Sequence, residues 1–171
     1  RCTQDHSKTK ALASMIAVVN SRLEKVGLNI TTYVLYRLKT ANSTAIMRTA
    51  AFLCAELYRQ SMFTSDTMVQ ILSFILSNGS NGTLLTAELI RSIGCCLYVD
   101  DNDALRLFLS RLKEIGDPAH EKILRDITAQ MQRNENSSNI KRGMLDAFDL
   151  IEDAERVTHE IDFEMDVPNE E

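Results

Sequence analysis

The stretch from Ile46 to Asp66, IMRTAAFLCAELYRQSMFTSD, decides the fold class. Ile46, Ala50, Leu53 and Leu57 fall at i, i+4, i+7 and i+11, which makes one stripe of a helix with a 3.6-residue period. The stripe predicts a core face, and Arg48, Glu56 and Arg59 take other positions round the same helix. Ser61-Met62-Phe63 ends the run, and the side-chain oxygens of Thr64, Ser65 and Asp66 suit a helix start. A second helix therefore begins within about four residues, an antiparallel neighbour by loop length. The unit is a helical hairpin.

Outward from the hairpin, the same period recurs. Leu12, Met15, Ile16, Val19, Leu23 and Val26 predict a helix from about Ser7 to Val26, with Gly27 as its left-handed end. Thr31 to Lys39 is rich in β-branched and aromatic residues, yet no partner strand exists in the chain, so a short helix is expected. The hairpin helices run from about Ser43 to Met62 and from Ser65 to Leu76, closed by the breaker run Ser77 to Gly82. Leu85, Leu89, Ile93, Cys96 and Leu97 form the stripe of a helix from Leu84 to Tyr98 that contains Gly94. Gly94 should weaken that helix by about 1 kcal/mol relative to Ala unless a neighbour needs a close approach. Asp100 to Asp103 opens a helix with Leu105, Phe108, Leu109, Leu112 and Ile115 inward, ended by Gly116. Asp117-Pro118 restarts the chain as a helix burying Ile123, Leu124, Ile127 and Met131. A last helix from about Ser138 presents Ile140, Met144, Phe148 and Ile151. About eight helices with short connections make an all-α chain, and a stack of antiparallel hairpins satisfies the loop lengths. Periodicity alone does not separate a solenoid from a bundle, and no strict repeat is visible.

A chain of 171 residues, 44% hydrophobic and 25% charged, is sized for one domain with a real core. No run approaches about 18 apolar residues, so no spanning helix is expected. The polar start, Arg1 to Lys10, lacks the apolar centre of a signal peptide. Cys2, Cys54, Cys95 and Cys96 lack both a disulfide framework and metal spacing, which suits reduced thiols in a cytoplasmic or nuclear protein. Five Asn-x-Ser/Thr sequons, at Asn29, Asn42, Asn78, Asn81 and Asn136, are read as capping chemistry at helix boundaries. Residues 152–171 carry nine acids against one base, a net of −8, which leaves +3 on residues 1–151 of a chain at −5. That acidic tail is expected to be partly disordered and largely dispensable for folding, although Val157, Ile161, Phe163, Met165 and Val167 leave room for a final helix or a partner-binding segment.

Motifs for catalysis are absent. His6, His120 and His159 have no second ligand at metal spacing, and no phosphate loop or nucleophile elbow occurs. Asp100 to Asp103 reads as a helix cap rather than a metal site, lacking the spacing of a calcium loop. The expectation is a protein that is not an enzyme and takes neither cofactor nor metal. The basic residues are more informative: Arg37, Lys39 and Arg48 in one region, Arg106, Arg111 and Lys113 on one helix, and Lys141-Arg142 opening the last. Aligned on a common side they would give a weak, salt-sensitive phosphate-binding surface, which makes these six, Arg37 to Lys113, the candidates for any nucleic-acid contact. The chain has no Trp, and sequence-specific base stacking is not indicated.

Three blocks carry a family resemblance. Phe52 to Thr64 followed by Met68 resembles the "FIGELF…LLT…IM" hairpin in the middle domain of the large gamma scaffold of the cap-binding translation initiation complex. Leu89-Ile90-Arg91-Ser92-Ile93-Gly94 followed by Leu97 resembles its "LLTTIG…L", and Ser137 to Leu150 its "SSRIR…DVIDL". The resemblance covers roughly 46–151 and implies an α-solenoid of HEAT-type hairpins over residues 1–151. It also implies a non-enzymatic scaffold in translation initiation that docks a DEAD-box RNA helicase and contacts RNA and other initiation factors. The positions matching the helicase-binding block are Ile140, Lys141, Arg142, Asp146 and Asp149. Two positions depart from the family: Arg142 stands where an aromatic residue is usual and Ile151 where a basic one is. A charge in place of an apolar anchor removes a hot spot for the helicase. Relatives of this fold in mRNA decay, splicing and nuclear cap binding, and a helicase-independent RNA-binding module, remain alternatives.

Overall fold

The computed structural model describes residues 2–116, 118–135 and 155–169, and everything below concerns these. Seven α-helices occupy the first two stretches: α1 (Cys2–Arg22), α2 (Glu24–Lys39), α3 (Thr44–Arg59), α4 (Ser65–Leu76), α5 (Gly79–Asp100), α6 (Asn102–Ile115) and α7 (Pro118–Glu135). The described residues are all-α, with one isolated parallel β-bridge, Phe63 to His159. The eighth helix expected from Ser138 lies outside the described residues.

The described parts of residues 1–70 and 143–171 form one compact unit, and those of 71–142 a second, the division falling within α4. In the first unit α1, α2 and α3 pack pairwise against one another. In the second, α5 packs on both α6 and α7, which also touch each other.

At two of the helix junctions that differ from the expectation, a glycine packs against the preceding helix. The chain breaks at Leu23 (φ −133°, ψ 71°), so Gly27 lies inside α2 rather than ending α1. A Cβ on Gly27 would collide with the side chain of Asn20. Its absence lets α1 and α2 cross closely, and the expected short helix from Thr31 is the second half of α2. The breaker run 77–82 shrinks to a turn because α5 already starts at Gly79. There Ser77 Oγ and Asn78 Nδ2 both donate to the carbonyl of Phe74, satisfying the end of α4. Gly82 presses its backbone onto the carbonyl of Ile75, where a Cβ would collide. Asn29 sits within α2, so it is no boundary residue, whereas Ser43 caps α3 by accepting from the N–H of Ile46.

In the second unit the expected stripes are largely in place. Leu85, Leu89, Ile93, Cys96 and Leu97 of α5 are buried, as are Leu105, Phe108 and Leu112 of α6 and Ile127 of α7. Ile115 is exposed instead, and Leu109, Ile123, Leu124 and Met131 are only half-buried. Asp101 caps α6, its Oδ1 accepting from the N–H of Ala104 at 2.9 Å, and Gly116 ends it in the left-handed region (φ 65°). By length and composition α5 qualifies to cross a membrane, but 61% of that window is buried inside the chain, as in a core helix. Gly94 has open space where its Cβ would sit. No close approach requires a glycine there, so Gly94→Ala is expected to stabilise the protein by about 0.5–1 kcal/mol through helix propensity. Urea denaturation checks this, and a loss of stability would expose a packing role for the glycine.

Candidate functional site

The first unit builds a cradle for the C-terminal segment, and it starts from the turn between α3 and α4. Met62 N–H bonds to the carbonyl of Leu57 and Ser61 N–H to that of Tyr58, the 6→1 and 5→2 pair of a Schellman motif. Ser61 takes the left-handed position (φ 61°), one usually given to Gly. Carrying Met62 and Phe63 into the core, the turn presents the carbonyls of Gln60, Ser61 and Met62 to the C-terminal segment. The C-terminal segment supplies one donor to each: Arg156 Nη1, Thr158 Oγ1 and the N–H of His159, at 3.0, 2.8 and 2.9 Å.

From there the segment runs extended, with His159, Ile161 and Phe163 buried and Thr158, Glu160 and Asp162 exposed. That alternation is strand-like, and α4 reads its backbone. Thr67 Oγ1 donates to the carbonyl of Ile161 at 2.6 Å, and Gln70 Oε1 accepts from the N–H of Phe163 at 2.6 Å. A turn over 163–166 follows, held by Asp162 Oδ1, which accepts from the N–H groups of Glu164 and Met165. The tail expected to be partly disordered is therefore, over residues 155–169, an integral part of the first unit. Neutral inward positions and backbone pairing dock it despite its negative charge.

Lys39, an expected RNA contact, stands at the centre of this docking. Its Nζ donates to the carbonyls of Phe163, Glu164 and Val167 at 2.9, 3.0 and 2.6 Å and lies 5.3 Å from the Phe163 ring centroid. An ammonium has three N–H donors, so all are engaged by the protein's own backbone. Phosphate would have to displace them.

Asn20 holds the other end. Its Nδ2 donates to the carbonyl of Val157 at 2.7 Å, which leaves Oδ1 as acceptor toward His159 Nε2, also at 2.7 Å. His159 is therefore the Nε2–H tautomer when neutral. Burial pushes its pKa below the usual value of 6.5, opposed by the nearby Glu24 carboxylate. A lowered folded-state pKa favours the neutral ring, so its contribution is complete above pH 6.5 and is lost as pH falls through the folded-state value. The melting temperature is expected to fall between pH 7.5 and pH 5, and to fall less in His159→Gln, which keeps an N–H donor. Equal pH dependence of the two proteins would rule out this titration.

The remaining expected site residues are dispersed. Arg37 is exposed and lines a groove of about 430 Å³ between α2 and α3, with Tyr33, Val34, Ile46, Thr49 and Leu53. Arg48 stacks its guanidinium 5.1 Å from the Phe52 ring centroid. Arg106, Arg111 and Lys113 are exposed on α6, in the other unit. Lys113 lines a cleft of about 510 Å³ with Leu112, Leu124, Arg125 and Thr128. Ile140, Lys141, Arg142, Asp146 and Asp149 lie outside the described residues. Cys54 is fully buried and its thiol is pushed up to about 12, so it stays protonated at neutral pH. Asn20 escaped the sequence reading, although a polar residue continuing the Ala13, Ile16, Ala17 face was a visible signal. Comparison with family models, curated proteins and solved structures finds no match for this chain.

Proposed function

We propose that this chain is a non-enzymatic scaffold module of mRNA translation, a stack of HEAT-type helical hairpins that docks a DEAD-box RNA helicase. The observation that carries the reading is where the resembling residues sit. Leu57, Tyr58, Met62, Phe63 and Met68 are among the buried residues of the α3–turn–α4 hairpin, and Leu89, Ile90, Ile93 and Leu97 are buried in α5. The shared pattern is thus one of helix packing, which supports the fold first and the partner through it. In physical terms the scaffold would hold the helicase's two mobile domains in one relative orientation, favouring a minor state by differential binding. Other initiation factors would engage the same surface.

The test is capture of DEAD-box helicases by the full 171-residue chain, followed by ATPase stimulation with the purified helicase. Arg142→Ala combined with Asp146→Ala should weaken capture with the circular dichroism unchanged. Failure to capture or stimulate any helicase overturns the reading.

A second reading, RNA binding without a helicase, is favoured by one arrangement in the first unit. Tyr33 is 60% exposed and Arg37 lies one turn on, so a ring and a cation share the rim of the α2–α3 groove. Single-stranded RNA should then bind with a steep loss between 50 and 200 mM salt, weakened in Tyr33→Ala and in Arg37→Ala. Binding that ignores salt and both substitutions excludes this groove.

A further inference from the structure

Between Ala11 and Val19 the sequence of α1, ALASMIAVV, is apolar but for Ser14, yet among the described residues its apolar side chains are not all covered. Ala13, Ile16 and Ala17 face the core together with Asn20. The opposite side carries Leu12 and Met15, 44% and 65% exposed, and the half-buried Val19. Large apolar side chains side by side on an exposed helix face are a mark of an interaction surface, so this outer side suits a partner.

The spacing says what shape the partner has. Lys8, Leu12, Met15, Val19 and Arg22 follow one another at intervals of four, three, four and three residues, the seam of helix-on-helix packing. The charges say what it carries. Lys8 and Arg22, both exposed, close the apolar stretch at its two ends, and Lys25 follows just beyond. A second copy is a poor occupant: antiparallel pairing sets Lys8 against Arg22, and parallel pairing sets each cation against its own copy.

We propose that the outer seam of α1 is a docking site for an amphipathic helix of another protein, one with apolar residues at three-four spacing and acidic residues at both ends of that stripe. Carboxylates at those ends meet Lys8 and Arg22, while the stripe covers Leu12, Met15 and Val19. The site uses none of the residues of the C-terminal cradle or of the α2–α3 groove.

The probe is a fluorescein-labelled 21-residue synthetic helix with three leucines at three-four spacing flanked by Glu, compared with the same helix carrying Lys at the flanking positions. Fluorescence anisotropy with the full chain should show the Glu helix bound at least tenfold tighter than the Lys helix, with the difference shrinking in 300 mM salt. Met15→Glu should weaken binding at least tenfold, and since Met15 is exposed its circular dichroism and melting temperature should be unchanged. Lys8→Glu combined with Arg22→Glu should reverse the preference toward the Lys helix. Absence of binding, equal binding of the two helices, or a preference that survives the charge reversal overturns the proposal. So does self-association abolished by Met15→Glu, which would make a second copy the occupant, or binding to phosphatidylserine vesicles without binding to the Glu helix.

Discussion

Phe163→Ala is expected to destabilise the protein by about 3–5 kcal/mol, the range for removing a buried aromatic ring. The ring is 1% exposed, and Lys39 lies against it while bonding the carbonyl of the same residue. Truncation therefore opens a cavity and also removes a cation–π contact. The residue's backbone is fixed on its other side by Gln70, so the segment has little freedom to collapse into the space. Urea denaturation followed by circular dichroism measures the loss. Met165→Ala, two positions on and 82% exposed, is the control and should stay within about 0.5 kcal/mol. Removal of residues 162–171 should lower the melting temperature by more than about 8 °C, since a domain of this size shifts roughly 2–4 °C per kcal/mol. A Phe163→Ala loss below about 1 kcal/mol would mean that the segment rests on the body without supporting it.

That expectation reverses the one drawn from charge. Averaged over residues 152–171, the tail reads as a solvated acidic extension, because its acids outnumber its bases nine to one. Read position by position, the acids at Glu160, Asp162, Glu164 and Asp166 occupy exposed places, and the buried ones belong to His159, Ile161, Phe163 and Val167. Three alternating positions are too short a period to stand out. The groups that dock them, Asn20, Lys39, Thr67 and Gln70, lie 93 to 139 residues away along the chain. Nothing local announces such pairing, and that is why Lys39 looked like a free cation.

Helices were legible where large apolar residues recur, and their ends only where the ending is local. Gly116 is local: a left-handed residue closes α6 whatever surrounds it. Gly27 and Gly82 answer to a side chain and a carbonyl on the preceding helix, so each read as a breaker when its purpose is close packing. The Schellman turn at Ser61 has the same character. A Ser in a left-handed position carries no sequence signature, yet that turn aims three carbonyls at the C-terminal segment.

Leu57→Ala is expected to cost about 2–5 kcal/mol, whereas Leu53→Ala, on the same sequence stripe, should cost about 0.5–1.5 kcal/mol. The difference follows from how α3 is turned. Its buried residues are Ala50, Ala51, Cys54, Ala55, Glu56, Leu57 and Tyr58, a face centred on small side chains that let α1 and α2 approach closely. Weighting the period by large residues drew the stripe through Ile46 and Leu53, which instead half-expose themselves along the α2–α3 groove. Leu57 is fully buried, so its truncation leaves a void enclosed by neighbours that cannot all move. Leu53 borders open space, so water reaches most of what its truncation vacates and no closed cavity forms. Urea denaturation of the two variants side by side separates the arrangements: equal losses would restore the stripe through Ile46 and Leu53 as the core face, and with it close the groove that Tyr33 and Arg37 border.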